Sequence, residues 1–359
     1  YINEVRIWNV ARTQAQIQAY MNTSLPNPTT QTGLLGYYTF DNLLNKQGNA
    51  AYNGTLNGAA TINNTNPNCS FVADSCPVTT VISSIINTYT PVLALSPCDN
   101  KLTVADASTF NTGDTVLMIQ MKGAVIDSTN TAAFGTIIDY KNAGNYEFNY
   151  VKSKTGNVIE LKNKLTQQYD IPVGKVQLIR VPYYSTALVS ATLTCPPWDG
   201  SKGGVLVLNA RDSVILNADI DVNGKGFRGG QVRTTVPGTG IYNQIDYAYP
   251  LNPVHGSFKG EGIAEVSDNL IFCRGPLFSG GGGGNSSNSG GGGGGNSGIG
   301  GKGGNEWAGA PTVLTNGGIG GKVYAYSSAN NKIFMGGAGG AGHANDNGGT
   351  SGGNGGGIA

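Results

Sequence analysis

The last quarter of the chain, residues 279–359, constrains the fold more than any other stretch because it is built largely of glycine. More than half of the 57 glycines lie there, in runs such as GGGGG and GGAGG separated by short apolar groups. Glycine loses more backbone freedom on folding than any other residue, so an ordered segment must gain something from the missing side chains. We expect backbones packed face to face, which only glycine permits; a disordered linker is the alternative.

Short apolar runs before this block indicate stacked coils. Residues 205–208, 214–216 and 220–222 are three such runs, each followed by Asn or Gly. Brief strands closed in this way are typical of a parallel β-helix, although a hairpin meander would give the same spacing. The glycine runs that follow fit either further coils with glycine corners or polyglycine-II strands with three residues per turn. We therefore predict a β-helix-like, glycine-rich domain over residues 199–359, incomplete at its C-terminus.

The middle of the chain, residues 79–198, shows the alternation of a small all-β module. Apolar and polar residues alternate over five predicted strands, which are 115–121, 135–140, 146–153, 158–163 and 175–182. Period-two patterning with Gly and Asn turns predicts a small barrel or sandwich. Tyr146, Phe148 and Tyr150 fall on one face, where packing within the protein is the default interpretation and a sugar-stacking platform the alternative.

The first 78 residues begin with a strand pattern over 1–9 and continue into a short helix. Thr13 is a good N-cap, and Gln16 completes a capping box. A second strand is predicted over 33–41.

The stretches INEVRIWNVARTQAQIQAYM and GLLGYYTFD resemble the closing segment of laminin-G/concanavalin-A-like jelly rolls of bacterial surface proteins. The resemblance implies that residues 1–78 are the C-terminal part of a two-sheet sandwich whose first half lies upstream. Calcium or sugar ligands would then lie on the missing strands. Asp41 could be such a ligand, but a solvated strand-end carboxylate is the default interpretation. Apart from this possible calcium, no cofactor is expected.

The charge balance excludes electrostatic partners. The net charge is +1 and 12% of the residues are charged, which leaves no basic stripe for nucleic acid and no polybasic membrane patch. No run approaches the roughly 18 apolar residues of a membrane helix. Because no initiator Met or signal peptide is present, we expect a fragment of a longer polypeptide that continues on both sides.

The five cysteines allow two disulfides. We predict a short Cys69–Cys76 loop and a Cys98–Cys195 bridge, with Cys273 left over; buried free thiols are the alternative. No CxxC pair is present, which argues against a zinc site. Disulfides would place the chain outside the cytoplasm.

No constellation of catalytic, cofactor-binding or metal-binding residues emerges. Asp219 and Asp221 lie two apart and could mimic a polysaccharide-cleaving pair, but a polar solvent face is the preferred interpretation. The GKGFRG motif at 224–229 fits a dinucleotide fingerprint, yet the residues after it cannot open a helix toward a phosphate. We interpret His255 and His343 as loop residues.

The stretches INTYTPVLALSPCDNKLTVADASTFNTGDTVLMIQMKGAVIDSTNTAAFGTIIDY and PPWDGSKGGVLVLNARDSVILNADIDVNGKGFRGG, followed by KGEGIA and the glycine block, resemble large Bacteroidota surface proteins. These are gliding-motility-associated, SprB-like adhesins exported by the type IX secretion system. The resemblance implies cell-surface attachment. It also implies O-glycosylation at Asp-Ser/Thr triplets, for which the matching acceptors are Ser128, Thr115 and Ser213.

Together these features predict an all-β segment of a large extracellular, cell-surface adhesin or filament. We expect it to be non-catalytic, to mediate attachment or gliding on surfaces, and to bind surface glycans or other surface proteins. The alternatives are a β-helix polysaccharide-degrading enzyme module and a purely structural filament subunit. A flat result across a broad polysaccharide panel would count against the enzyme, and glycan binding would separate the adhesin from the filament subunit.

Overall fold

A computed structural model describes residues 4–21, 23–40, 42–58, 79–234, 246–248, 256–286, 288–306, 316–325, 331–344 and 348–359. The chain divides into two compact units, residues 1–78 and 79–359. The predicted Cys69–Cys76 disulfide and Asp41 lie outside the described residues. The described part is all-β: it holds fifteen strands and a single α-helix of seven residues. No helix in these ranges is long and apolar enough to cross a membrane.

The first unit pairs two antiparallel strands, β1 (Val5–Trp8) and β2 (Leu34–Tyr38). Its small buried core consists of Leu25, Leu34 and Tyr37, packed against Trp8 and Tyr20. The unit also contains two 3-10 turns, Pro28–Thr30 and Ala50–Tyr52. The complete jelly-roll sandwich stays a prediction.

The helix α1 (Gln14–Tyr20) begins where the sequence predicted. The Thr13 hydroxyl accepts a hydrogen bond from the backbone N–H of Gln16 at 3.3 Å. The Gln16 side chain in turn accepts one from the Thr13 N–H at 3.0 Å. These two bonds satisfy backbone donors that a helix N-terminus otherwise leaves open, so the predicted capping box is confirmed.

The second unit contains the remaining strands. In chain order they are β3 (Thr79–Ile85), β4 (Thr88–Ser96), β5 (Lys101–Val104), β6 (Thr115–Gln120), β7 (Val125–Ile126), β8 (Ile137–Asp139), β9 (Tyr146–Thr155), β10 (Val158–Leu161), β11 (Val176–Val181), β12 (Tyr183–Thr194), β13 (Asn209–Leu216), β14 (Arg233–Thr234) and β15 (His343–Ala344). β7 pairs with β8, and a 3-10 turn spans Asp268–Leu270.

Six of these strands close an antiparallel barrel in the order β10-β5-β4-β11-β6-β9. Alternate apolar residues point inward and form the barrel core, including Leu102, Val116, Met118, Ile159 and Leu178. The sequence left open whether these strands form a barrel or a sandwich, and the structure shows a barrel. Closure removes the unpaired edges that an open sheet of this size would expose.

The barrel is inserted between two adjacent strands of a parallel sheet. β3 precedes the barrel and β12 follows it, yet they pair side by side in the sheet order β13-β12-β3. In this register Leu188 lies between Val81 and Ile215. The parallel strands predicted from residue 199 onward therefore begin at residue 79. The barrel belongs to the same compact unit as these strands, so residues 79–198 do not form a separate module. Of the three short strands predicted after residue 199, 214–216 falls within β13, while Val205 and Ile220 make single parallel bridges.

The described residues of the glycine block are ordered by backbone hydrogen bonds, as the sequence favoured over a disordered linker. In residues 336–341 the bonding neighbour repeats every third residue. The N–H groups of Gly336 and Gly339 donate to Gly356 and Gly353, those of Gly337 and Gly340 donate to Gly295 and Gly292, and those of Ala338 and Ala341 donate to Glu261 and Phe258. A helix with three residues per turn points successive amides in three directions. The described part of the block is therefore a bundle of polyglycine-II segments, one of the two arrangements that the sequence allowed.

A shared core joins the barrel to this glycine bundle. Leu117 and Ile119 on β6, with Ile179 and Val181 on β11, face outward from the barrel into this core. The bundle contributes aromatic rings, among them Tyr324 and Phe334, which stack with centroids 4.5 Å apart. Residues 116–119 of β6 are all apolar because both faces of this strand are buried.

Candidate functional site

A cleft of about 460 Å³ lies where the barrel meets the glycine-rich region. Its walls come from the loop after β6, from residues 228–231 and from residues 258–277. Six of its lining residues are ionisable: Lys122, Arg228, Lys259, Glu261, Glu265 and Asp268. In a chain with 12% charged residues, this concentration makes the cleft the strongest candidate site among the residues that the structure describes.

Arg228 and Glu261 form a two-pronged ion pair in this cleft. The Arg228 guanidinium donates to Glu261 Oε2 at 3.0 Å and to Oε1 at 2.6 Å. The backbones reinforce the pair, because the Arg228 N–H donates to Glu261 Oε2 at 3.0 Å and the Glu261 N–H donates to the Arg228 carbonyl. A third guanidinium N–H bonds the Asp199 carbonyl at 3.0 Å. Bidentate geometry of this kind fixes both side chains in orientation as well as charge.

Lys122 extends the ion pairing from the barrel side. Its ammonium lies 2.9 Å from Glu265 Oε2 and 4.0 Å from Glu261 Oε1. The charges thus alternate along the cleft from Arg228 to Glu261, Lys122 and Glu265.

Backbone bonds hold the two sides of the cleft in register. The N–H groups of Gly123 and Ala124 both donate to the Ile263 carbonyl, and Ala124 forms an isolated parallel β-bridge with Ala264. Gly123 has a φ of 113°, which a residue with a side chain rarely adopts. This turn brings Lys122 alongside Glu261 and Glu265.

Apolar side chains complete the lining. Phe258 lies 4.4 Å, centroid to centroid, from Phe272, and its carbonyl accepts a hydrogen bond from the Ala341 N–H of the bundle. Val266, Ile271 and Leu277 add aliphatic surface. The cleft therefore offers both charged hydrogen-bonding groups and a half-buried aromatic ring.

Lys259 lines the cleft but is held inside the protein. Its ammonium donates to the carbonyls of Tyr247, Cys273 and Gly275 at 2.6, 3.0 and 2.6 Å. It also lies 4.5 Å from the centre of the Phe134 ring. Burial lowers the pKa of Lys259 to about 7, because an ammonium loses its hydration there. All three ammonium donors are used, so Lys259 supports the cleft wall rather than reaching into it.

The ion pairs keep Glu261 ionised. Burial alone would raise the pKa of Glu261, but the Arg228 hydrogen bonds and the Lys122 charge outweigh it and lower the pKa. The same bonds raise the pKa of Arg228. A general acid for sugar cleavage needs a raised carboxyl pKa, so Glu261 is suited to accepting hydrogen bonds instead. Among the described residues, no group of three or more His, Cys, Asp or Glu side chains could hold a metal ion.

The structure corrects the predicted Cys98–Cys195 disulfide. Both carry free thiols: Cys98 is exposed in the turn after β4, and Cys195 is buried beneath the parallel sheet. Cys98 lies on the barrel, in the turn between β4 and β5, whereas Cys195 belongs to the core beneath the parallel sheet, so the two thiols are held in different parts of the unit. Cys273 is also buried.

The predicted O-glycosylation acceptors lie outside the cleft. Ser128 is exposed in the loop between β7 and β8, and Ser213 is exposed on β13. Thr115 begins β6 and is half-buried opposite Tyr150. Modification at these positions stays a prediction. Asp219 and Asp221 are likewise exposed and away from the cleft, and Asp221 accepts a bond from the Asn223 N–H.

Two sequence interpretations missed functional candidates. The GKGFRG motif, set aside as a nucleotide fingerprint, supplies Arg228, and the segment KGEGIAE supplies Lys259, Glu261 and Glu265. Two glutamates four residues apart in a chain this poor in charge were the available signal. The β9 aromatics also differ from expectation, because Phe148 and Tyr150 point outward and are 54% and 46% exposed.

Comparisons with known proteins give little further guidance. No family model and no curated protein matches the sequence. One similar solved structure is the Gp54 tailspike of Acinetobacter baumannii bacteriophage AP22 in complex with A. baumannii capsular saccharide, with a TM-score of 0.21 and 18% identity over 36% of this chain and 20% of that chain. Another is the tailspike protein gp49 from Pseudomonas phage LKA1, with a TM-score of 0.17 and 17% identity over 32% of this chain and 20% of that chain. At these TM-scores neither likeness carries a conclusion about this chain.

Proposed function

We propose that the chain is a non-catalytic segment of a large extracellular surface protein, an adhesin or filament of the Bacteroidota type, that attaches to surface glycans. The observation that carries the proposal is the polyglycine-II bundle packed against a closed barrel. Bundle segments bond neighbours on more than one side, so many of the amides that a glycine linker would leave to water are satisfied internally. A rigid scaffold of this kind suits a protein that must transmit force between a cell and a surface.

The cleft supports attachment rather than turnover. Four of its charges, those of Arg228, Glu261, Lys122 and Glu265, are paired with one another, and Glu261 is held ionised. Groups fixed in this way can hydrogen-bond a ligand without reorganising, which favours binding.

An attachment assay tests the proposal. Beads coated with the chain are flowed over surfaces bearing a panel of bacterial and plant polysaccharides, with beads carrying an unrelated β-barrel protein as the control. We expect retention on at least one polysaccharide well above the control. Equal release of both bead types from every surface would overturn the proposal, and release of soluble sugar during contact would favour the enzyme alternative.

A further inference from the structure

The Lys122–Glu265 pair leaves hydrogen-bonding capacity directed into the cleft. An ammonium has three donors and a carboxylate about four acceptor sites, whereas this pair is joined at one contact of 2.9 Å. Within the ranges that the structure describes, Lys122 has only the more distant Glu261 as a further carboxylate neighbour, at 4.0 Å. A donor and an acceptor therefore stand side by side.

Arg228 adds further donors beside them. Three of its guanidinium N–H groups are used by Glu261 and the Asp199 carbonyl. A guanidinium has five N–H donors, so two remain, and half of the side chain is exposed. Because Glu261 fixes the guanidinium plane, these donors have a set direction.

Adjacent hydroxyls on a sugar ring match this arrangement. Each hydroxyl both donates and accepts, so two neighbouring hydroxyls can bond a cation and a carboxylate that lie next to each other. Phe258 and the aliphatic lining offer a surface for the C–H face of the same ring. The cleft volume of about 460 Å³ lies within the range of small-molecule sites, about 300–1,000 Å³.

The balance of charge selects against charged sugars. Lys122 and Arg228 face Glu261 and Glu265, so the paired charges cancel, and Asp268 adds one exposed carboxylate. A carboxylate ligand would compete with Glu261 and Glu265 for the same cations. An ammonium ligand would compete with Lys122 and Arg228 in the same way. A neutral ligand leaves every pair intact.

We propose that the cleft binds a neutral pyranose residue of a surface glycan, with Lys122 and Glu265 bonding two adjacent ring hydroxyls and Phe258 packing against the C–H face. This inference rests on the proposed function and specifies the ligand class of that same site.

Saturation-transfer NMR and calorimetry on the whole chain test the ligand class. The probes are the methyl glycosides of glucose, galactose and mannose, compared with those of glucuronic acid and glucosamine. We expect at least one neutral glycoside to bind about tenfold more tightly than both charged ones. Lys122→Met and Glu265→Ala should each weaken that binding about tenfold. Lys141→Met is the matched control, because it breaks an exposed ion pair of the same 2.9 Å length, to Asp139, outside the cleft; it should change nothing.

Three outcomes would overturn the inference: tighter binding of a charged glycoside, no binding of any glycoside, or neutral binding that survives both cleft substitutions. Thermal unfolding of each variant identifies a folding defect. If Lys122→Met or Glu265→Ala fails to fold, Phe258→Leu, which keeps an apolar side chain in the cleft wall, replaces it, and neutral binding that survives Phe258→Leu would overturn the inference. The bead assay with Lys122→Met separates this inference from the proposed function. If Lys122→Met beads are retained as well as wild-type beads, the cleft is not the binding site but the adhesin proposal stands. If beads carrying the unsubstituted chain are not retained, the adhesin proposal itself fails.

Discussion

A Cβ atom on Gly352 would overlap the carbonyl oxygen of Gly339, whereas a Cβ on the next residue, Gly353, would meet no atom within 4 Å. The same alternation recurs three residues later, where Gly355 faces Gly336 and Gly356 faces open space. One side of each three-residue turn packs against a neighbouring backbone and another faces solvent. The requirement for glycine is therefore periodic, not uniform.

Substitutions at these two positions should differ sharply. Gly352→Ala should destabilise the protein by about 1–3 kcal/mol, because its methyl group must push two backbones apart. Gly353→Ala should stay within about 0.5 kcal/mol of wild type. Denaturant unfolding measures both, and exchange of the Gly339 N–H, which donates to Gly353, reports the local effect. Equal costs at the two positions would contradict the packing described for this segment.

Lys259 should make stability rise with pH above neutrality. Its pKa is about 7 in the folded chain against an ordinary value of 10.5. Between these values the folded chain has lost the proton that the unfolded chain still holds, so raising the pH favours folding. The penalty of burying the ammonium is full below pH 7 and is relieved toward pH 10.5. The slope is at most about 1.4 kcal/mol per pH unit.

Unfolding free energies of wild type and Lys259→Met between pH 6 and 10, roughly the window set by the shift, check this expectation. Lys259→Met should be less stable at every pH, because three carbonyls lose their donor, and its stability should lack the rise. Parallel curves for the two proteins would show that Lys259 does not titrate in this range.

Glu261 should also make stability rise with pH, but in the acid range. Its pKa is lowered below the ordinary 4.5 despite burial, so its stabilisation is present above the unfolded pKa and is lost as the pH falls through the folded pKa. Arg228→Met should cost about 1–3 kcal/mol at neutral pH, because Glu261 keeps its charge in a partly buried site without its main partner. It should also weaken the acid dependence. Urea unfolding at neutral pH and below pH 4.5 tests both effects, and an unchanged acid dependence would refute the role given to the pair.

The two cysteines should differ in reactivity. Cys98 is exposed and should react with iodoacetamide in the native protein. Burial raises the pKa of Cys195 to about 11 and shields its sulfur, so Cys195 should react only after unfolding. Peptide mass spectrometry with and without denaturant distinguishes them, with Cys98→Ser as the control. A cross-linked peptide containing both residues would restore the disulfide that the structure lacks.

Local sequence patterns predict much of the secondary structure. The alternating runs that became β9, β10 and β11 were placed within two residues at their starts, and the Thr13–Gln16 capping box was confirmed. These features depend on side chains spaced two to four residues apart, which a sequence displays directly. The glycine block also predicted close backbone packing, because an ordered glycine run must gain something from the missing side chains.

Only the tertiary structure decided how these pieces meet. A glycine run has no side-chain periodicity, so nothing in it distinguishes a β-helix corner from a polyglycine-II turn; the neighbours that each amide bonds, such as Gly336 with Gly356 and Gly337 with Gly295, settle that. The barrel's insertion between β3 and β12 separates Cys98 from Cys195, and the turn at Gly123 brings Lys122 to Glu261. These contacts join residues that are distant in sequence, in the case of Lys122 and Glu261 more than a hundred positions apart, and their energy depends on packing and desolvation that no local pattern encodes.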